Sequence, residues 1–251
     1  MADCTSGPKP APAEHCRRRA RLLDIMAEHL YSELGGMTLN WAGNHPGSYG
    51  LHLIQGEVNN GLRRMLFGMI RLAGDELSGE RMQVPLLSQS PEEEQDCFSD
   101  DTHQSLYYNA RGLANVYYGR YRIVGQDDTS TYRAPQSLAK RVAQIDPELA
   151  ARLDQRFDRV ESLMAAIRHR GEHGEPFDRQ IQASNRESRV LLGEAIAALQ
   201  ALSAALEAVA ARLALGSINP QAPRSESISR TYTAPATAHR SGDQPDLDGL
   251  G

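Results

Sequence analysis

The part of the sequence richest in side chains capable of chemistry is residues 97–103, which read Cys-Phe-Ser-Asp-Asp-Thr-His and follow an acidic run. Ser99, Asp100 and Asp101 are all good N-cap residues, but a helix start needs only one of them. Two carboxylates beside His103 in a first helical turn can raise the pKa of its ring or orient it as a metal ligand. Acid-rich helix starts are common, so on chemistry alone a well-capped helix with a surface histidine is the simpler interpretation.

A second polar pair follows Gly79, where Glu80 and Arg81 stand side by side. Such an acid and base can reach across a helical bundle into a polar cavity. A surface ion pair in a loop is the alternative, and the residues alone favour it.

A third pattern, His169-Arg170-Gly171-Glu172-His173, matches the inverted zinc-protease motif H-x-x-E-H. The motif requires a continuous helix, because only then do both histidines share one face. Gly171 lies inside it and Pro176 follows, so we expect the helix to have ended and the match to arise by chance. The sequence contains no G-x-S-x-G, H-E-x-x-H, P-loop or G-x-G-x-x-G motif.

Composition narrows the functional classes. A formal charge of -5 argues against a general nucleic-acid binder, which needs a basic face. The basic cluster at residues 17–21 is expected to surround a helix axis as a solvated start. We find no apolar stretch that approaches the roughly 20 residues needed to cross a bilayer. Residues 1–13 do not resemble a secretory signal, so the chain is expected in the cytoplasm if Met1 is the native start, and is otherwise a fragment.

The periodicity of apolar residues predicts an all-α fold. Three- and four-residue steps indicate a first helix from Glu14 that ends or frays at Gly35-Gly36, and a second from Leu62 that closes near Gly74. The two prolines of residues 84–98 predict a long loop. A helix over 102–118 follows, then a short hairpin over 121–132.

The last third of the ordered chain predicts a helical hairpin. Asp146-Pro147-Glu148 is a strong helix start, and this helix runs to about His169. A short Gly/Pro loop leads to a long helix from Phe177 to Gly216. We therefore predict an up-and-down helical bundle over residues 13–216, with a disordered N-terminus, 1–12, and a disordered tail, 217–251.

Three segments of the chain resemble the imelysin-like family, which includes the peptidase imelysin and iron-regulated envelope proteins. They are residues 77–82 (L-S-G-E-R-M), 92–103 (E-E-E-Q-D-C-F-S-D-D-T-H) and 112–121 (G-L-A-N-V-Y-Y-G-R-Y). Their order and spacing also match, as do Cys16 with its arginines and the later Pro-Phe-Asp at 176–178. The resemblance covers about residues 14–216.

The resemblance implies two packed helical bundles with a polar site at their interface, of which this chain matches the second. The family motif G-x-H-x-x-E belongs to the first bundle; the nearest segment here, residues 50–55, has Gln55 in place of Glu and matches a different part of the family. The chain also departs at Gln95, where relatives often carry His, and at Asp101, where they often carry Asn.

The resemblance therefore implies a partial, non-catalytic module linked to iron or other metal acquisition at the cell envelope or periplasm. One alternative is a metallopeptidase completed by a missing N-terminal bundle, supplied by another chain or an upstream segment. The other is an inactive structural remnant.

The resemblance also assigns site residues. It implies that five residues line the half-site of the second bundle: Glu80, Arg81, Ser99, Asp100 and His103. His103 and Asp100 are the metal-ligand candidates, for iron, zinc or copper, and a peptide is the other implied ligand. Cys4, Cys16 and Cys97 show no C-x-x-C spacing, and by count alone they are three thiols or one disulfide with a spare. In an oxidising envelope the resemblance makes Cys16 and Cys97 the pair.

Overall fold

The computed structural model describes residues 13–42, 46–55, 58–122 and 131–215, all within one compact unit, residues 1–218. The described elements are, in chain order, α1 (Ala13–Trp41), α2 (Tyr49–Gln55), α3 (Val58–Arg71), a π-helix (Leu72–Gln83), α4 (Val84–Ser88), a 3-10 helix (Pro91–Glu93), α5 (Thr102–Tyr118), β1 (Arg120–Arg122), β2 (Thr131–Arg133), α6 (Leu138–Ile145), α7 (Pro147–Glu172), α8 (Phe177–Gln180) and α9 (Arg186–Arg212). The predicted all-α bundle is confirmed. The predicted disorder of 1–12 and 217–251 lies outside the described residues.

The core forms where α9 packs against α7, α3 and the π-helix, and where α5 packs against α7. The apolar stripes predicted for the two long helices are the buried ones: Leu149, Leu153, Phe157, Val160, Leu163 and Ile167 on α7, and Leu192, Ile196, Leu199, Leu202, Leu206 and Val209 on α9. Tyr117 of α5 stacks on Phe157, with ring centroids 4.8 Å apart.

Ion pairs show that α7 and α9 run antiparallel, as predicted. Asp146, at the start of α7, accepts a hydrogen bond from Arg212 at the end of α9, at 2.8 Å. Arg170, at the other end of α7, pairs with Glu187 in the first turn of α9. The Asp146 side chain also caps α7, accepting from the backbone N–H of Leu149 at 2.9 Å, as its position before Pro147 predicts.

Glycines end fewer helices than expected. α1 continues through Gly35-Gly36 to Trp41, and the chain stays helical past Gly74 because the π-helix follows α3 directly. A Cβ on Gly74 would lie 2.7 Å from Oγ of Ser203 on α9, so this glycine permits close helix packing. Glycine in a helix costs about 1 kcal/mol relative to alanine, and here it leaves the room that Ser203 occupies.

The segment predicted as a long loop, 84–98, is partly helical. Pro85 lies in the first turn of α4 and Pro91 begins the 3-10 helix. Pro91 follows the extended Ser90, so its missing N–H costs no helical hydrogen bond there. Pro85 follows the π-helix without a break, so it does not end the helical run before Ser88. We call residues 89–101, which include the 3-10 helix and lead into α5, the acidic loop.

The predicted helix from Phe177 to Gly216 is interrupted. α8 ends at Gln180, and α9 begins at Arg186, where Asn185 caps it by accepting from the Ser188 N–H at 3.2 Å. The predicted hairpin is confirmed, with Tyr121 opposite Tyr132 in an antiparallel pair. α2 and α6 were not predicted.

By length and composition, α9 is the one helix in the described residues that could span a membrane. Its apolar residues at the contact with α7 and the π-helix are those of the core, so the same composition is explained by burial inside the bundle.

Helix α1 carries a long row of exposed apolar side chains and packs against α2. Its arginines at 17–21 are exposed, which confirms the solvated helix start.

Leu23 and Leu30 of α1 are 55% and 59% exposed, so little buried apolar contact is lost if both become Gln. We expect that double change to alter the free energy of unfolding by less than about 0.5 kcal/mol, measured by urea denaturation. A loss above about 2 kcal/mol would mean that this face is covered in solution.

Candidate functional site

The acidic loop folds around the backbone of Asp96. Its carbonyl accepts from the N–H groups of Ser99 and Asp100, at 3.1 and 2.9 Å, and from the Ser99 hydroxyl at 3.2 Å. Its own N–H donates to the buried hydroxyl of Thr102 at 3.1 Å. Asp100 adopts a left-handed conformation, φ +57°, which closes the turn before α5. Side chain to backbone bonds of this kind hold a short loop in one shape.

None of the expected side-chain caps forms at the start of α5. Asp101 occupies the N-cap position, but its carboxylate makes no capping hydrogen bond. Ser99 bonds back to Asp96 instead. The carboxylates of this turn are therefore not used in capping, and another role is open to them.

His103 is buried, with 6% of its surface exposed, so the expectation of a surface histidine is wrong. The ring packs against α7, where Gly171 lacks the side chain that would overlap it. Its Nε2 lies 3.9 Å from Asp101 Oδ1, and its buried Nδ1 has no hydrogen-bond partner. Because its ring is buried against the α7 backbone, His103 is poorly accessible to a metal ion from solvent. Its position suits a packing role beside the acidic loop.

Glu94 is the most deeply buried carboxylate of the acidic loop, at 6% exposure. Its Oε2 is buried without a hydrogen-bond partner, and so is Oδ2 of Asp96. Burial raises the pKa of Glu94, although a hydrogen bond with Thr102 opposes the rise. The charges of Asp178, Asp100 and Asp96 raise this pKa further. The charges of three other carboxylates thus act on Glu94, and we call Glu94, Asp96, Asp100 and Asp178 the carboxylate cluster.

Glu80 and Arg81 lie on the π-helix, so the alternative of a loop is wrong. Glu80 is exposed, and Arg81 donates to Glu76 at 3.0 Å. In the described residues no hydrogen bond or ion pair joins Glu80 or Arg81 to Ser99, Asp100 or His103. The role of these five residues as one half-site therefore stays a prediction. π-helices are frequent at functional positions, which keeps Arg81 of interest.

The H-x-x-E-H segment is more helical than expected, because α7 continues through Gly171 to Glu172. His169 and His173 therefore share a face, with ring centroids 3.9 Å apart. Glu172 is bound elsewhere, accepting from Gln104 and Arg168 at 2.9 Å each. His173 Nδ1 also lies 2.7 Å from the carbonyl of His169, so the segment lacks three convergent ligands.

The structure does not form the Cys16–Cys97 disulfide that the resemblance implies. Cys16 lies near the start of α1, which packs against α2, whereas Cys97 belongs to the acidic loop beside α5. The pairing of Cys16 with Cys97 under oxidising conditions stays a prediction.

A metal implied by the family has to be tested against these side chains. Across the described residues, no three His, Cys, Asp or Glu side chains converge in an arrangement that could hold a metal ion. A catalytic zinc, which usually takes three protein ligands, does not fit this arrangement. The carboxylate cluster offers two buried oxygens without a hydrogen-bond partner, on Glu94 and Asp96, and oxygen is the ligand type that hard cations take. It would have to tighten around that ion.

Sequence reasoning singled out Asp100 but missed Glu94, Asp96 and Asp178. The acidic run at 92–94 was visible, yet nothing in it distinguishes Glu94 from its neighbours. The signal that could have helped is the Pro-Phe-Asp at 176–178, where Phe177 is fully buried and so fixes the neighbouring Asp178 against the bundle.

The fold and site together define an all-α bundle protein in which a buried carboxylate, Glu94, lies in a loop before a core helix. The family model described as imelysin matches residues 7–206, and the chain belongs to the imelysin family. No curated protein matches the sequence.

Proposed function

We propose that this chain is a non-catalytic imelysin-like module of the cell envelope that takes part in metal acquisition by binding iron or another metal ion at the carboxylate cluster. The observation that carries the proposal is Glu94, a buried carboxylate whose Oε2 has no partner and whose neighbours are acids. A buried carboxylate oxygen without a partner is costly, and a bound cation would remove that cost. The envelope location rests on the family resemblance alone.

The chemistry of the cluster favours one kind of metal. Carboxylate oxygens suit hard cations, and ferric iron shares that preference, whereas zinc and copper sites in proteins use mainly nitrogen and sulfur ligands. His103, the nitrogen ligand predicted from the sequence, is buried against α7. We therefore propose iron, and not zinc or copper, as the bound ion. Glu94 and Asp96 would be its ligands, and the negative charges of Asp100 and Asp178 would add to the attraction.

Thermal unfolding with and without metal tests the proposal. A ligand that binds only the folded state stabilises it by about 2.7 kcal/mol at a hundred times its Kd. We expect ferric nitrilotriacetate to raise the Tm of the protein, and zinc or copper to raise it less. Glu94→Gln and Asp96→Asn should remove most of the iron effect.

Glu93→Gln is the matched control, because Glu93 is an exposed neighbour in the same run. It should keep the full shift. His103→Ala separates the two ligand assignments: a retained shift supports the cluster, and a lost shift with Glu94→Gln unaffected would favour the histidine. An unchanged Tm with every metal would support the inactive remnant instead.

The metal-free protein gives an internal check on Glu94. Because its pKa is raised in the folded state, the folded protein holds this proton more tightly than the unfolded chain. Stability from this group is therefore greatest below its ordinary value of 4.5 and falls as pH rises through the folded pKa. Glu94→Gln should reduce this dependence of the free energy of unfolding on pH.

A cleavage assay tests the metallopeptidase alternative. Cleavage of denatured casein that stops when a chelator is added would support that alternative over the non-catalytic module.

A further inference from the structure

A second polar feature lies away from the acidic loop, in a cavity of about 460 Å³ between α5, α7 and the β1–β2 hairpin. Four arginines line it: Arg111 of α5, Arg120 and Arg122 of β1, and Arg133 of β2. Glu161 is the one acid among the described lining residues. The described lining therefore holds four guanidinium groups and one carboxylate, in a chain whose formal charge is -5.

The hairpin itself concentrates this charge. Side chains alternate between the two faces of a strand, so Arg120 and Arg122 share one face, and Arg133 lies directly opposite Arg120 in the register. Like charges directly across a strand pair disfavour the pairing. Tyr121 and Tyr132 occupy the other face and are 55% and 63% exposed. The hairpin therefore turns its arginines, and not its aromatic rings, toward the bundle.

The protein neutralises only part of this charge. Arg120 pairs with Glu161 at 3.2 Å and lies over the ring of Tyr118, 4.7 Å from its centroid. Arg111 and Arg133 make no hydrogen bond or ion pair with any other described residue. Arg111 is half-buried and Arg133 is exposed, and both line the cavity without an acid of their own, an arrangement that an anionic ligand would complete.

We infer that this cavity, the arginine pocket, binds a small ligand carrying two or more carboxylate or phosphate groups. A guanidinium group offers paired N–H donors that match the oxygens of both groups. The volume falls within the range of small-molecule sites, about 300–1,000 Å³. Tyr107 and Ala165 supply apolar wall, and Asn115 offers a neutral amide to the same ligand. The pocket shares no residue with the carboxylate cluster.

Titration calorimetry of the full chain in metal-free, low-salt buffer tests the inference, with citrate and tripolyphosphate as probes and acetate as the monovalent comparison. We expect at least one probe to bind ten times more tightly than acetate or better, and its Kd to weaken as salt rises. The tighter probe identifies the group as carboxylate or phosphate. Absence of binding by both probes, or equal binding of acetate, would overturn the inference.

Variants then locate the site. Arg111→Gln and Arg133→Gln should each weaken binding about tenfold, since each removes a charge-assisted pair. Neither forms an ion pair in the described residues, so both variants are expected to fold, which circular dichroism verifies. Arg141→Gln is the matched control, because Arg141 is an exposed arginine on α6, outside the pocket. Equal weakening by Arg141→Gln, or no weakening in the Arg111/Arg133 double variant, would assign binding to general surface charge.

Discussion

Replacing Gly171 with alanine is expected to destabilise the bundle by about 1–3 kcal/mol, the usual cost of overpacking a filled site. A Cβ at this position would overlap Cγ and Cδ2 of His103 and lie 2.8 Å from its Nδ1. These atoms belong to a rigid ring near its attachment, so they cannot swing away as the end of a flexible chain can. Helix propensity alone predicts the opposite sign, because alanine is the better helix former. Chemical denaturation measures which effect is larger.

Two variants show whether the His103 ring is the cause. In a His103→Ala background the overlap disappears, so adding Gly171→Ala should then cost little or stabilise. Gly193→Ala is the matched control, since Gly193 lies inside α9 with no atom within 4 Å of an added Cβ. That change should stabilise by roughly 0.5–1 kcal/mol. Equal behaviour of the two glycine variants would show that the ring does not rest on α7.

Gly171 also shows which features of the fold cannot be predicted from the local sequence. Glycine inside a helical pattern indicates a helix end when only local preferences are considered, and Gly35-Gly36 and Gly74 give the same prediction. At Gly74 and Gly171 the structure shows a neighbour that needs the space, Ser203 in one case and His103 in the other. Such contacts join residues far apart in sequence, so no local pattern reveals them.

The elements that were predicted well have signals within a few residues. α5 was predicted at its observed bounds, and α7 begins at the predicted Asp-Pro-Glu start. The break before α9 was not predicted, because the contact that stabilises it joins residues far apart in the sequence. There Arg189 donates to the carbonyls of Ile181 and Leu86, at 2.6 and 3.0 Å, and the second of these is 103 positions away. The bond to Ile181 satisfies a carbonyl that a continuous helix would have satisfied itself, and the bond to Leu86 joins the break to α4.

In the candidate site, too, the local features could be predicted and the long-range contacts could not. Residues 97–103 could be singled out from composition, because a helix start with more polar groups than it needs is visible in the sequence. Whether Glu93 or Glu94 is buried depends on how the acidic loop meets the segment near Asp178, some 80 residues later. The arginine pocket was missed for a similar reason, since its members come from α5 and from two paired strands.

Loss of the Glu175 carboxylate is the other change expected to have a large effect. Its side chain accepts from Arg170 at 3.0 Å, from Ser188 at 2.9 Å, and from Asn185, the residue that caps α9. It therefore links the end of α7 to the start of α9. Glu175→Ala leaves the fully buried Ser188 hydroxyl without this acceptor, and we expect a loss of about 1–3 kcal/mol in the free energy of unfolding at pH 7.

The pH dependence of that loss distinguishes it from simple removal of side-chain packing. Burial acts to raise the pKa of Glu175, but hydrogen bonds from Asn185, Arg170 and Ser188 outweigh it and hold the pKa below its ordinary value of 4.5. The stabilising contribution is then fully present above pH 4.5 and is lost as pH falls through the folded pKa. The difference between the parent protein and Glu175→Ala should therefore shrink in acid.

The matched control is Glu187→Gln, because Glu187 also pairs with Arg170 but is 81% exposed. An exposed pair contributes little, so we expect less than about 0.5 kcal/mol and little change with pH. If Glu187→Gln costs as much as Glu175→Ala, the connection between α7 and α9 depends on the charge of Arg170 and not on the buried hydrogen bonds. If the loss at Glu175 is the same at pH 3 and pH 7, packing and not the carboxylate is its source.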